Sequence, residues 1–328
     1  MAITISDIAK EAGVSTATVS RMMNASGYVS AKSKEKVEAA IKKLDYRPNA
    51  AAISLSKKES KVIGVMVPEI SNNFFGEVIE GISQVADQAG YALMLFDTSE
   101  SIEKELRALQ MLRQQNLCGL ILTPVVDVVS KNPDFYTCLD QLEVPVVLID
   151  REVEGLDHSG VYCDNVKGAF NLTIHLQESG YESISVVAGD QNLKLGRDRL
   201  EGFMRAMRFN NKVVSSDQVL LGSFNKEATI NVVSQSFDLE NVPDAVLSCN
   251  NTMTEGLIEA LHAKGLLDKV AIASFDPVPW AKYLNTNIIQ LERNTRYMGE
   301  RATRMLFDEM KDTQMKVRSK VIVETKIL

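Results

Sequence analysis

The chain is poor in the residues that carry most catalytic and redox chemistry. Among its 328 residues are three histidines, four cysteines and a single tryptophan. No GxSxG, P-loop or HExxH pattern occurs, so the common hydrolase, nucleotide-binding and metalloprotease chemistries have no sequence support. His158, His175 and His262 have no partner at a catalytic or metal-ligand spacing and read as surface or packing residues. Cys118, Cys138, Cys163 and Cys249 lie 20 or more residues apart with no CxxC pair. Free thiols in a reducing compartment are therefore expected, with no disulfide, zinc site or other cofactor. No apolar run approaches the roughly 18 residues of a membrane span. The opening MAITISDIAKEAG lacks a basic segment followed by an apolar one, so no export is predicted and the cytoplasm is the expected compartment.

What is present is a globular composition, 45% hydrophobic and 24% charged, in a chain long enough to split into two or three compact units. The net charge of −7 is unevenly spread. Residues 1–60 carry ten Lys and Arg against six Asp and Glu, net +4, while the remainder carries 26 against 37, net −11. A small basic head precedes an acidic body.

The head reads as three short helices. Thr4 followed by Asp7 is a capping box for the first, which runs through Ile8, Ala9 and Ala12 and stops at Gly13. Ser15 caps the second, where Val19, Met22 and Met23 fall at i, i+3 and i+4 and turn inward. Ser30 caps the third, whose apolar stripe is Val37, Ala40, Ile41 and Leu44. Two short helices across a tight Gly-containing turn, braced by a third, make a helix-turn-helix. With the apolar positions inward, Thr16, Ala17, Ser20 and Arg21 face outward on the second helix. There Arg21 suits guanine O6/N7, and Thr or Ala suits a thymine methyl. The hydroxyls of Thr4 and Ser15 and the backbone N–H groups at the caps suit phosphates.

TISDIAKEAGVSTATVSRMMN, the Val29-Ser30 pair and KLDYRPN at 43–49 together resemble the DNA-binding head of the lactose/galactose repressor (LacI/GalR) family. The resemblance places base reading at Thr16, Ala17 and Arg21 and extends the DNA-binding set to Asn24, Tyr28, Asn49 and Ala52. Ala17 offers no hydrogen bond, so it reads by methyl contact or shape. After the head (1–48), residues 49–60 are similar to the family's hinge helix, where Leu55 matches a leucine that wedges into the minor groove. Ile53 stands where many relatives have arginine.

From Lys61 to Leu328, continuous apolar runs alternate with amphipathic stretches: VIGVMVP (62–68), YALMLFD (91–97), GLILTPV (119–125), VPVVLID (144–150), SISVVAG (183–189), DAVLSCN (244–250) and VAIASFD (270–276). Runs without alternation are strands buried on both faces, and helices between them imply parallel βαβ units. Seven or more predict two doubly wound parallel-sheet lobes. The chain is expected to cross between them near 152–160 and to return near 288–294. The order resembles the periplasmic-binding-protein-like core of the same family. An all-α helix-turn-helix head joined to such an α/β core is thus the predicted architecture.

Ligands of open parallel sheets sit at the carboxyl ends of strands, and polar residues recur there: Asp150, Asp164 with Asn165, Asn250 with Asn251, and Asp276. Carboxylates and amides converging on one cleft suit the vicinal hydroxyls of a carbohydrate. The resemblance adds Arg199 in GRDRLEGF, with Arg197 a weaker alternative, Phe74 and Phe75 at the cleft mouth, and Phe224 as a stacking aromatic. Asn251, Asn73 and LERN (291–294) depart from the family pattern. Trp280 follows a Pro-x-Pro turn close to Asp276.

A transport-type sugar-binding protein would share the body but calls for an export signal and has no use for the head. The reading that accounts for both parts is a DNA-binding transcriptional repressor, not an enzyme. Its operator affinity would respond to a small effector, a sugar or sugar derivative. A recognition helix reads only a few base pairs, so a homodimer on a near-palindromic operator is implied. No leucine-heptad tail of the kind that joins dimers into tetramers follows VIVETKIL.

Overall fold

The computed structural model describes residues 3–23, 26–46, 60–128, 132–284, 286, 288–311 and 318–328. The chain divides into two units, Met1–Ser60 and Lys61–Leu328.

The first unit contains α1 (Ile5–Ala12), α2 (Thr16–Met23) and α3 (Ala31–Lys43). The expected capping box forms: the Thr4 side chain accepts from the Asp7 N–H while the Asp7 carboxylate accepts from the Thr4 N–H at 2.9 Å. Gly13 ends α1 in the left-handed region at φ 63°, where a Cβ would be strained, and its N–H closes back on the helix. Ser15 accepts from the Thr18 N–H at 3.1 Å and starts α2. Ile8, Ala9, Ala12, Val19, Val37 and Ala40 form a small core, flanked by Met22, Met23, Ile41 and Leu44. This is the apolar set that helical periodicity selects. Lys43 adds an ion pair to Glu11 at 2.6 Å.

The second unit is two parallel sheets wrapped by helices. In chain order it runs β1 (Val62–Val67), α4 (Asn73–Gln88), β2 (Ala92–Asp97), α5 (Ile102–Arg113), β3 (Gly119–Leu122), α6 (Pro133–Asp140), β4 (Val146–Ile149) and β5 (Ser159–Cys163). It continues with α7 (Asn165–Glu178), β6 (Ile184–Ala188), α8 (Lys194–Phe209), β7 (Val219–Leu221), α9 (Lys226–Ser236), β8 (Ala245–Ser248), α10 (Asn251–Ala263), β9 (Ala271–Ser274) and β10 (Ile288–Arg293). Then come α11 (Thr295–Lys311), β11 (Lys320–Val323) and β12 (Thr325–Ile327). The first sheet has the order β11-β5-β4-β3-β1-β2 and the second β12-β10-β9-β8-β6-β7. Every strand pair is parallel except β10 with β12.

Burial on both faces explains the unbroken apolar runs of the inner strands; β2 differs, because it lies at the sheet edge, where Leu95 is 44% exposed despite an equally apolar run. On β1, Ile63, Val65 and Val67 join the core under α4 and α11, whereas Met66 faces the opposite core built from α5 and α6. Helices α4 and α11 cross closely at Gly81 and Gly299: a Cβ on either would overlap a backbone carbonyl of the other helix.

The crossings between lobes differ from expectation. Residues 152–160 do not leave the first lobe; they lead into β5, whose Ser159 and Val161 pair with Val147 and Ile149 of β4. The polar composition of that stretch marks an ordinary loop between two neighbouring parallel strands. The chain crosses one element later, between Cys163 and α7, and Ala169 and Leu172 of α7 already belong to the second core. The return follows Arg293, where β10 of the second sheet gives way to α11 of the first lobe. A third crossing was not anticipated. The apolar C-terminal run splits at Glu324, β11 pairing with β5 and β12 with β10. Period-two apolar content marks strands but carries no information on which sheet receives them.

Candidate functional site

On the head, Ser15, Thr16, Ala17 and Arg21 are exposed and Ser20 is half-buried, as the inward turn of Val19 requires. Thr4 is exposed beside its cap partner, and Tyr28 is 90% exposed. A tyrosine held that far into solvent has no packing role within the head. Asn24, Asn49, Ala52 and Leu55 lie outside the described residues.

The second site is the cleft between the lobes of the core. Asp150 directly follows β4 and lies in the left-handed region at φ 65°. Phe74 and Phe75 open α4, whose start is capped by Asn72 accepting from the Phe74 N–H at 3.0 Å. From the other lobe come Arg199 on α8, Phe224, Asn250 at the cap of α10, and Asp276 just past β9. These seven predicted residues line one inner cavity of about 60 Å³. Asp164 does not join them. It is exposed, caps α7 by accepting from the Lys167 N–H at 2.9 Å, and faces a neighbouring cavity of about 270 Å³ that also touches Asp150 and Arg151. Its position at a strand end is that of an N-cap.

The inner cavity is organised by charge. Arg293, at the end of β10, donates to Asp150 at 2.8 Å and to Asp276. Arg199 lies 3.8 Å from Asp276, donates to Asn165 at 2.9 Å, and donates to the Cys249 carbonyl. The Arg199 guanidinium stacks 3.8 Å from the centroid of Phe275, and that of Arg293 lies 4.0 Å from Phe74. These four charged residues are at most 6% exposed, and their two cations balance their two anions, while Arg151, also buried at this cavity, is paired with Glu100. Burial would pull the pKa of Arg293 down, but the charges of Asp276 and Asp150 reverse this and hold its charge firmly. Burial, and then the like charge of Arg293, lowers that of Arg199. Burial also pushes the Cys163 thiol up and the Cys249 thiol up to about 11, so neither is available as a thiolate nucleophile.

Arg293 and Arg151 escaped the sequence reading. Arg151 follows Asp150 directly and grips Glu100 through two bonds, at 2.8 and 2.5 Å. Its position beside a strand-end aspartate was a usable signal. Arg293 fell in a stretch noticed only because it departs from the family pattern. Arg197, the weaker alternative, pairs across the lobes with Asp127 at 2.8 Å. Toward solvent the inner cavity meets a larger one of about 820 Å³, bordered by Asn72, Phe224, Asn251 and Trp280. Asn251 donates to Asn72 at 2.8 Å, and Asn72 donates to Thr252 at 3.1 Å, so the departure at Asn251 serves a contact between lobes.

A helix-turn-helix unit and a two-lobed core with a polar, aromatic-lined cleft together define a DNA-binding regulator with a periplasmic-binding-type effector domain. Residues 4–49 match the family model described as bacterial regulatory proteins, lacI family, and residues 60–315 match periplasmic binding proteins and sugar binding domain of LacI family. The chain belongs to the LacI family of transcriptional regulators, and its curated relatives are repressors and not enzymes. It is 35% identical over 312 residues to the ribose operon repressor of Halalkalibacterium halodurans, covering 94% of this chain and 90% of that one. It is 28% identical over 319 residues to the HTH-type transcriptional repressor PurR of Vibrio campbellii, covering 96% and 94%. Among solved structures, the Lac repressor dimer bound to operator and the anti-inducer ONPF shares the fold with a TM-score of 0.86 at 24% identity, over 100% of this chain and 98% of that one. A putative ribose operon repressor from Burkholderia thailandensis matches with a TM-score of 0.70 at 29% identity, over 82% and 99%. No helix among the described residues is long and apolar enough to cross a membrane.

Proposed function

We propose that the protein is a cytoplasmic homodimeric repressor that binds a near-palindromic operator and is controlled by a small polyhydroxylated effector, a sugar or sugar derivative, held between its core lobes. One observation carries the effector class: both lobes supply a carboxylate and an aromatic ring to the same cavity, Asp150 with Phe74 from the first and Asp276 with Phe224 from the second. Hydroxyls donate to such carboxylates, aromatic faces take the C–H side of a sugar ring, and Arg199 donates to a ligand oxygen. The ribose operon repressor relative supports the same class. On the head, Thr16, Ala17, Ser20 and Arg21 present base-reading groups, while Thr4, Ser15, Asn24, Tyr28 and Asn49 hold the DNA backbone. Ala52 and Leu55 reach the minor groove from the hinge. Effector binding shifts the relative population of two lobe arrangements, and the dimer transmits the change to the spacing of its heads.

The test is a thermal-shift panel of pentoses, hexoses, their phosphates and nucleobases. A ligand at about a hundred times its dissociation constant adds about 2.7 kcal/mol of stability, several degrees in Tm. A pentose or hexose hit supports the reading, and a response to nucleobases alone overturns it.

A further inference from the structure

The two aspartates of the cleft are already engaged by the protein itself. Arg293 extends from β10 in the second lobe, yet its guanidinium bonds Asp150 of the first lobe at 2.8 Å as well as Asp276 of its own. The same group lies against Phe74 of the first lobe at 4.0 Å. Arg293 is 3% exposed, and its backbone sits at the point where the chain returns to the first lobe. We infer that Arg293 is an intramolecular clasp: it occupies the carboxylates that a polyhydroxylated effector would use and ties the two lobes together across the cleft.

The other contacts across the cleft are weaker than this link. The Asn72 bonds to Asn251 and Thr252 are between neutral groups, each individually weak in net terms. The Arg197–Asp127 pair is screened, since the Arg197 side chain is 44% exposed. Arg293 with Asp150 is a charge-assisted bond between groups removed from solvent, and separating the lobes would strand both charges. An effector must therefore exchange its hydroxyls for the guanidinium or bind around it. Arg293 is thus a positioning residue that sets which ligands can reach Asp150 and Asp276. The inference rests on the reading of this cavity as the effector cleft. Its test uses no ligand, so its failure and that of the effector reading are separable.

The experiment is hydrogen exchange followed by mass spectrometry on the full chain without added ligand, comparing wild type with Arg293→Gln, Arg293→Lys and Asp150→Asn. Asp150→Asn removes the charge from the link between lobes while keeping an acceptor oxygen, leaves the Arg293–Asp276 pair in place, and suits the positive φ because asparagine tolerates that region. In Arg293→Gln and Asp150→Asn, peptides spanning 72–78 and 250–256, at the two helix starts facing the cleft, should exchange roughly tenfold to a hundredfold faster. Peptides around Leu172 and Leu306, in the cores of the two lobes, should not change. Arg293→Lys keeps the charge but lacks the fork that reaches two carboxylates and should be intermediate. Wild-type exchange at both cleft segments in Asp150→Asn overturns the clasp, as does full protection in Arg293→Lys. If Arg293→Gln loses protection throughout, Asp150→Asn decides by the same criterion.

Discussion

Removing one charge from the buried cluster should cost far more than the missing contacts imply. In Asp276→Ala, Arg199 and Arg293 are left with Asp150 as the only remaining carboxylate of the four-residue group, and all of these residues are at most 6% exposed. An uncompensated buried charge created by removing one partner costs about 3–5 kcal/mol, against a typical domain stability of about 5–15 kcal/mol. Removing Arg293 as well, in Asp276→Ala/Arg293→Met, leaves Arg199 and Asp150 in balance. The double variant should therefore be more stable than the sum of the single losses by about 1.5 kcal/mol or more. Urea unfolding followed by the fluorescence of Trp280 suits the measurement. This single tryptophan lies in the core unit, is 40% exposed, and is silent for the head. A loss below about 1 kcal/mol for Asp276→Ala, or strict additivity in the double variant, would refute the argument that charge balance organises this cavity.

Three other outcomes follow from different parts of the molecule. Arg21→Ala should weaken operator binding by about 1–3 kcal/mol and relax one base position without lowering Tm, because the side chain is exposed; equal loss on every DNA sequence would reduce it to a phosphate contact. Gly299→Ala should destabilise the first lobe by about 1–3 kcal/mol or more, since its Cβ would overlap the Val78 carbonyl and separate α11 from α4; unchanged urea unfolding would show that the helices can part freely. Burial pushes the Glu105 carboxyl up to about 7 from 4.5, with bonding to the Val125 N–H and the charge of Arg151 opposing the rise. A folded value above the unfolded one means that this group's contribution is fully present below about pH 4.5 and is lost as pH rises through about 7, roughly 3 kcal/mol in all. Glu105→Gln should remove that slope, so its unfolding free energy should exceed wild type at about pH 8 and match it near pH 4; parallel pH profiles would show that Glu105 is not the source.

How much of this was legible in the chain depended on the range of the interaction. Caps and helix faces are local, so Thr4, Gly13, Ser15, Val19 and Val37 could be placed from spacing alone, and the structure puts each where its pattern requires. Unbroken apolar runs identified the inner parallel strands for the same reason, both their faces being covered, whereas the apolar run of β2 lies at an edge that is largely exposed. Sheet membership is not local. The SGVYC run and the two halves of VIVETKIL look alike as strands, and only pairing with Val147, Tyr162 or Leu291 decides where each belongs. The cleft shows the same division. Strand-end polar residues pointed to Asp150, Asn250 and Asp276, which line the inner cavity, and to Asp164, which lines the neighbouring one; Asn250 and Asp164 each also cap a helix. Arg293 was not found because its partners lie 143 and 17 residues away, and a lone basic residue closing a strand carries no sign of a carboxylate in another lobe.

A repressor of this design must couple a ligand in the cleft to operator binding by the head. The direct measurement is fluorescence anisotropy of a labelled operator duplex, selected from random DNA by the full chain, titrated with protein in the presence and absence of the sugar identified by thermal shift. The selected sequence should contain two inverted half-sites, and adding the sugar should change operator affinity by about fivefold or more, the scale of an ordinary coupling free energy. A sugar that stabilises the core but leaves operator affinity unchanged at saturation would contradict this coupling.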